Sequence, residues 1–327
     1  MKEPIGVVQL LDPFRIDDAP PVPEGYRAFA EVVRPGLGEV LRVAAVIERE
    51  GARIVHGVGP RALPVAVAAA RLVRARSVCS ISHVPSAVAE ALACRAADAV
   101  VVPSEGLRSG PRMRVVPPWA DMARFAASQV REPVVAFVGA LRVSSGVLDL
   151  IEAAAVVRAE IGGLRVLCAA EGALRPVIEQ RLRFFGLRDC FELLGHVEDV
   201  PAVLARCSAA CLPRHDGAPS RALAEAMAAG LPAVTTCPEM GFSELVVPAR
   251  SPRVIAERLL GLLRDPAAAR ALGAAARKRA GAEFSLEAAR RSLGEVYTAA
   301  LTGPADRATP PAAPRPPEPQ AAVNPGH

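Results

Sequence analysis

Apolar residues in this chain fall into short continuous runs, and between the runs they recur every three or four positions. The runs in the first part are Ile5 to Leu11, Arg53 to His56, Ser77 to His83 and residues 98–104. In the second part they are Val134 to Gly139, residues 165–170, 191–195, 209–213 and 233–236. Runs of four to eight residues bounded by Gly, Pro or Asp read as strands covered on both faces. The intervening pattern predicts helices over Glu39 to Glu50, Val65 to Val73, Pro85 to Ala97, Val147 to Arg158, Leu174 to Phe185 and residues 200–207. Residues 12–26, rich in Pro and Asp, read as loop, and 27–34 receive no element.

Strand and helix alternating over short turns implies a parallel sheet between two helical layers. The pattern passes through Pro117-Pro118-Trp119 and a polar segment, 121–132, and then restarts. The fold class is therefore α/β, with two Rossmann-like domains and a ligand cleft between the carboxyl ends of their strands. The expected division is 1–128, a shortened N-terminal domain; 129–285, a C-terminal domain; 286–302, a closing helix; and 303–327, a Pro/Ala-rich tail with the composition of a disordered segment. Arg253 to Leu263 and Pro266 to Ala280 read as surface helices. The closing helix has Ser285 as its cap and a stripe of Leu286, Ala289, Leu293, Val296, Tyr297 and Leu301.

Composition narrows the partners. Hydrophobic residues make up 51% of the 327, ample for two cores, while aromatics at 4% leave few platforms for stacking nucleobases. The net charge of +5 is spread along the chain, so no nucleic-acid partner is expected. Arg61, Arg71, Arg74 and Arg76 form a basic group suited to weak peripheral contact with anionic lipid, or simply a solvated helix face. Seven cysteines without a CxxC pair point to reduced thiols. Cys207, Cys211 and His215 have metal-like spacing, but the run between them reads as a buried strand, so they are expected as core thiols and not a metal site. The start, MKEPIGVVQLLDPF, lacks the apolar centre of a secretory signal, and a cytoplasmic location is expected.

The chemistry concentrates in Arg214 to Pro232, RHDGAPSRALAEAMAAGLP: a strand exit, a polar turn, a short Ala-rich helix capped by Ser220, and a stop at Gly230 and Pro232. Such a turn presents backbone N–H groups and a helix N-terminus to an anion. Asp216 and Glu225 add two carboxylates that accept hydrogen bonds from hydroxyls. Phosphate and hydroxyls together outline a nucleotide-sugar.

The segments VAFVGAL, LLGHVEDVPAVLARCSAACLP, EAMAAGLPAVTT, GFSELV, LLRDPAAARALGAAAR and EFSLEAARRSLGEVY resemble, in this order, the GT-B-fold retaining glycosyltransferases of group 1, the family 4-like sugar transferases of polysaccharide and glycolipid synthesis. The likeness covers Val134 to Leu301 and extends more weakly over residues 53–125. It implies transfer of a hexose from a nucleoside diphosphate-sugar, with UDP or GDP as the leaving group, to an acceptor hydroxyl that is saccharide, lipid-linked or small. Configuration would be retained, with no cofactor and no metal. Carried over by position, Glu225 would hold the donor ribose or nucleotide. Asp216, Gly217 and Ser220 would meet the donor sugar and phosphates, and His196 and Val197 would lie near the base. Gly139 would face the diphosphate, with Arg142, Ser144 and Ser145 on the same loop, and His83 would face the reacting sugar.

The chain departs from that family where charge matters. The family's diphosphate Arg and Lys fall on Ala140 and Ser145, and the only lysines are Lys2 and Lys278. The first acid of the family's pair falls on Gly217, one residue after Asp216. Arg142 is the nearest substitute cation. An alternative therefore stands beside the enzyme: a catalytically impaired relative acting as partner or scaffold for an active glycosyltransferase.

Overall fold

The computed structural model describes residues 4–12, 19–34, 36–82 and 87–302. His83, the expected helix start at Pro85 and the tail 303–327 lie outside the described residues.

The first unit is a six-stranded parallel sheet of β1 (Ile5–Leu11), β2 (Tyr26–Val32), β3 (Ala52–Val58), β4 (Arg76–Ser80), β5 (Ala99–Val102) and β6 (Met113–Val115), in the order β2-β1-β3-β4-β5-β6. Three helices connect its strands: α1 (Leu37–Arg49), α2 (Ala62–Leu72) and α3 (Val88–Ala96). β2 corrects the sequence expectation of no element there. It pairs with β1 along its whole length, Ile5 opposite Tyr26 through Leu11 opposite Val32. Its residues are only half covered, with Arg27, Phe29 and Glu31 interleaved, so this edge strand lacks the apolar run that marks the inner ones.

Pleating sends alternate residues of β1 and β3 to opposite faces. Val8, Leu10 and Val55 pack under α1 and α2. Val7, Ile54 and Val78 face the other way, and α10 (Leu286–Thr302) covers them with Leu293, Val296 and Tyr297. A parallel sheet has to be buried on both faces, and here the second cover is supplied by the end of the chain. The outgoing and returning segments run side by side: Ala120 N–H donates to Phe284 C=O at 2.8 Å, and Leu286 N–H to Ala120 C=O at 3.0 Å.

The second unit is a five-stranded parallel sheet of β7 (Val134–Ala140), β8 (Arg165–Glu171), β9 (Phe191–Leu193), β10 (Ala209–Leu212) and β11 (Ala233–Thr235), in the order β11-β10-β7-β8-β9. Helices α4 (Val147–Glu160), α5 (Arg175–Phe184) and α8 (Pro252–Arg264) cover one face, and α6 (Val200–Leu204), α7 (Arg221–Ala228) and α9 (Pro266–Glu283) the other. Arg76, grouped above with possible lipid contacts, pairs with Asp98 at 2.9 Å, and Arg71 reaches the Ala96 carbonyl at 3.5 Å. Among the described residues no helix is long and apolar enough to cross a membrane.

Candidate functional site

Strand order fixes where a ligand fits. In open parallel sheets, ligands bind outside the carboxyl ends of the strands, where the order reverses. That point lies between β1 and β3 in the first sheet and between β7 and β10 in the second. Both points open onto one cleft of about 570 Å³. Val58 ends β3 and Gly59 and Pro60 follow it on one wall; on the other, Ala140 ends β7 and Arg142 follows it, and Arg214 and Asp216 follow β10.

The loop after β7 is held tightly. It makes one short 3-10 turn, Val143–Ser145, in which the Ser145 hydroxyl donates to the Arg142 carbonyl at 2.7 Å. Gly146 then enters α4 at φ 72, and a Cβ there would sit 1.9 Å from the Pro213 carbonyl oxygen. Only glycine permits that approach. The loop is tied to the turn after β10 by His215 N–H donating to Ser144 C=O at 2.9 Å and by His215 Nε2 against Asp149 Oδ2 at 2.8 Å.

The second turn carries the charge. Arg214 grips Asp216 through two contacts, 3.0 and 2.6 Å, and the Ala218 amide donates to the same carboxylate at 3.2 Å. Burial alone would raise the Asp216 pKa; the Arg214 pair and the amide outweigh it and hold it below the usual value. Ser220 caps α7 by accepting from Leu223 N–H at 3.3 Å. One turn further in, Glu225 is largely buried and pairs with Arg221 at 3.0 Å. Burial is the larger effect there and raises its pKa despite that partner.

Among the expected residues, Arg142, Ser144, Ser145, Asp216 and Ser220 line the cleft together, with Ala140 beside them. Glu225, paired with Arg221, does not line the cleft, and neither do Gly139 and Gly217. His196 and Val197 follow β9 at the sheet edge, with His196 exposed and Val197 packed on the second core. Arg214 and Arg221 line the cleft and were not expected. Both were visible as the two ends of the turn RHDGAPSR, but no periodic signal tells an inward cation from a solvated one. Cys207 and Cys211 are buried thiols, with burial pushing Cys207 up to about 12, while His215 is taken by Asp149. Among the described residues no three His, Cys, Asp or Glu side chains converge as a metal set.

Residues 132–265 match the family described as Glycosyl transferases group 1. A glycogen synthase of Mycobacterium tuberculosis (strain H37Rv) is 30% identical over 177 residues, which are 51% of this chain and 42% of that protein. The chain thus spans well under two thirds of that relative's length. Among solved structures, Anabaena HepE in complex with UDP and glucose superposes with a TM-score of 0.74 at 15% identity, over 90% of this chain and all of that one. Sucrose-phosphate synthase from Thermosynechococcus elongatus gives 0.73 at 16% identity, over 91% and 99%.

Proposed function

We propose, for a chain whose second unit is a glycosyl transferases group 1 domain in a GT-B architecture, that it transfers a sugar from a nucleoside diphosphate-sugar to an acceptor hydroxyl with retention of configuration. One observation carries the proposal: three guanidinium groups, Arg142, Arg214 and Arg221, line a single wall of the cleft at the switch point of the second sheet. The N-termini of α4 and α7 open beside them. Cations and helix ends so placed suit the charge that grows on a departing diphosphate.

In this scheme Arg142 and the Ser144 and Ser145 hydroxyls take one phosphate, and Arg214 and Arg221 the other. Asp216 orients Arg214 and faces the donor sugar, and Glu225 exchanges its Arg221 contact for ribose hydroxyls. Ser220 and the backbone from Gly217 complete the turn. Guanidinium groups supply the positive charge, so no resident metal is needed and chelators should leave turnover intact. The Anabaena neighbour was solved with UDP and glucose, which makes UDP-glucose the first donor to test. Glycogen synthase and sucrose-phosphate synthase point to a saccharide acceptor. Seven free, buried thiols suit the cytoplasm. No observation favours the partner-subunit alternative, since the charge absent at Ala140 and Ser145 is present at Arg214 and Arg221.

The test is release of UDP from UDP-glucose with a saccharide panel, with the anomeric proton of the product followed by NMR. An α-linked product from the α-donor supports retention. A β-linked product overturns it, and no turnover of any UDP- or GDP-sugar overturns the enzyme.

A further inference from the structure

A second cavity, of about 580 Å³, shares no lining residue with the cleft. One face of α9 forms much of it: Arg270, Ala274, Arg277, Lys278 and Gly281 all line it. At 100° per residue these five positions fall within an arc of about 100°, so they look to one side of the helix. Alanine and glycine between the long side chains leave the room. The segment that joins the two units contributes Ser128 and Gln129. That segment is fixed to the second unit, because the Ser128 amide donates to the Ala229 carbonyl at 3.0 Å and its hydroxyl to the Cys207 carbonyl at 2.6 Å.

Among the described residues three cations face this cavity and no carboxylate does. Elsewhere on α9 an arginine finds its acid, with Arg279 pairing to Glu283 at 3.0 Å. Arg277 donates to the Ala228 carbonyl at the end of α7. That bond screens the negative end of α7 from the cavity and leaves the other N–H groups of the guanidinium to donate. Arg270, Lys278 and the Gln129 amide make no ion pair or hydrogen bond among the described residues. Like charges gathered without an acid repel one another, and an anion placed between them turns that repulsion into attraction.

We propose that this cavity binds a small free anion carrying two phosphate groups, held by Arg270, Arg277 and Lys278 with the Gln129 amide as a further donor. Arg270 and Lys278 lie about 12 Å apart along the helix axis, a spread that two phosphates bridge better than one. No aromatic side chain lines the cavity, so a nucleobase has nothing to stack on. Among the described residues neither α9 nor 127–129 exposes a large apolar side chain, so a lipid surface finds nothing to take in. Through Gln129 the anion ties the joining segment to α9, at the end of α7 away from the cleft. The site is separate from the donor cleft and does not depend on the glycosyltransferase reading.

Amide NMR of the full chain, titrated with pyrophosphate and separately with inorganic phosphate, tests the site. Resonances of 127–129 and 274–281 report this cavity, and those of 142–145 and 214–221 report the cleft. Saturable shifts are expected in the first group, with pyrophosphate binding at least about tenfold more tightly than phosphate. Arg270→Ala and Lys278→Ala should each weaken the affinity read there about tenfold, the lower range for hydrogen bonds to charged groups. Neither should change the affinity read at the cleft, and Arg270→Lys should recover most of the loss. Melting temperatures should stay at the wild-type value, since both side chains are exposed. No saturable shift at 127–129 and 274–281, or full affinity in the Arg270→Ala/Lys278→Ala double variant, overturns the site. Equal affinity for phosphate and pyrophosphate overturns the two-phosphate assignment. Co-sedimentation with phosphatidylcholine–phosphatidylglycerol vesicles that Arg270→Ala abolishes overturns the free anion in favour of a lipid headgroup.

Discussion

Asp216 and Glu225 sit nine positions apart and experience opposite environments. Arg214 and an amide keep Asp216 readily ionised, whereas burial makes ionisation of Glu225 costly. A carboxyl whose folded pKa is raised binds its proton more tightly in the folded state, so its ionisation with rising pH costs stability. Glu225→Gln is therefore expected to melt higher than wild type at neutral pH, with the gain disappearing in acid below the ordinary carboxyl pKa of about 4.3. The same variant should lose UDP affinity; unchanged melting across that range would refute the buried-charge account. Arg214→Ala and Arg221→Ala should each weaken UDP about tenfold to a hundredfold, the range for hydrogen bonds to charged groups. The Arg214→Ala melting temperature should barely move, because an exposed ion pair contributes about 0–1 kcal/mol. Arg221→Ala, in contrast, should lower it, because the largely buried Glu225 carboxylate loses its partner. Glu225 and Asp216 were legible because a polar turn followed by EAMAAGLP is an unusual local pattern. The bond between His56 and Tyr297 spans 241 positions of sequence and leaves no local trace.

At the scale of elements, the second-unit wall of the cleft depends on two turns locked against each other at Gly146. Alanine there would face both a left-handed φ and the Pro213 carbonyl. Gly146→Ala is expected to cost at least about 2 kcal/mol in urea denaturation, combining backbone strain with overpacking, and to abolish UDP binding. A variant with wild-type stability would show that the loop relaxes freely. The inner strands and long helices were readable because their apolar runs and stripes are continuous. β2 was not, since an edge strand with one hydrogen-bonded neighbour tolerates charges at alternate positions.

For the whole molecule, two sheets of different strand order place their switch points on one cleft, and α10 ties the second unit back to the first. Leu293, fully buried on α10, packs against the open face of the first sheet. Leu293→Ala should cost about 2–5 kcal/mol and loosen the first unit preferentially, which hydrogen exchange can localise to β1, β3 and β4. The alternation of strand and helix made two α/β units legible. Strand order and the meeting of the two switch points depend on contacts far apart in sequence and had to come from the fold. In the proposed site, Arg142, Arg214 and Arg221 hold a nucleoside diphosphate in place of the cations missing at 140 and 145. Calorimetric titration of wild type and the Arg214→Ala/Arg221→Ala double variant with UDP and GDP tests that binding. Saturable one-site binding of one nucleotide to the wild type and none to the double variant is expected; binding that survives in the double variant, or no heat from either nucleotide with the wild type, would overturn the site.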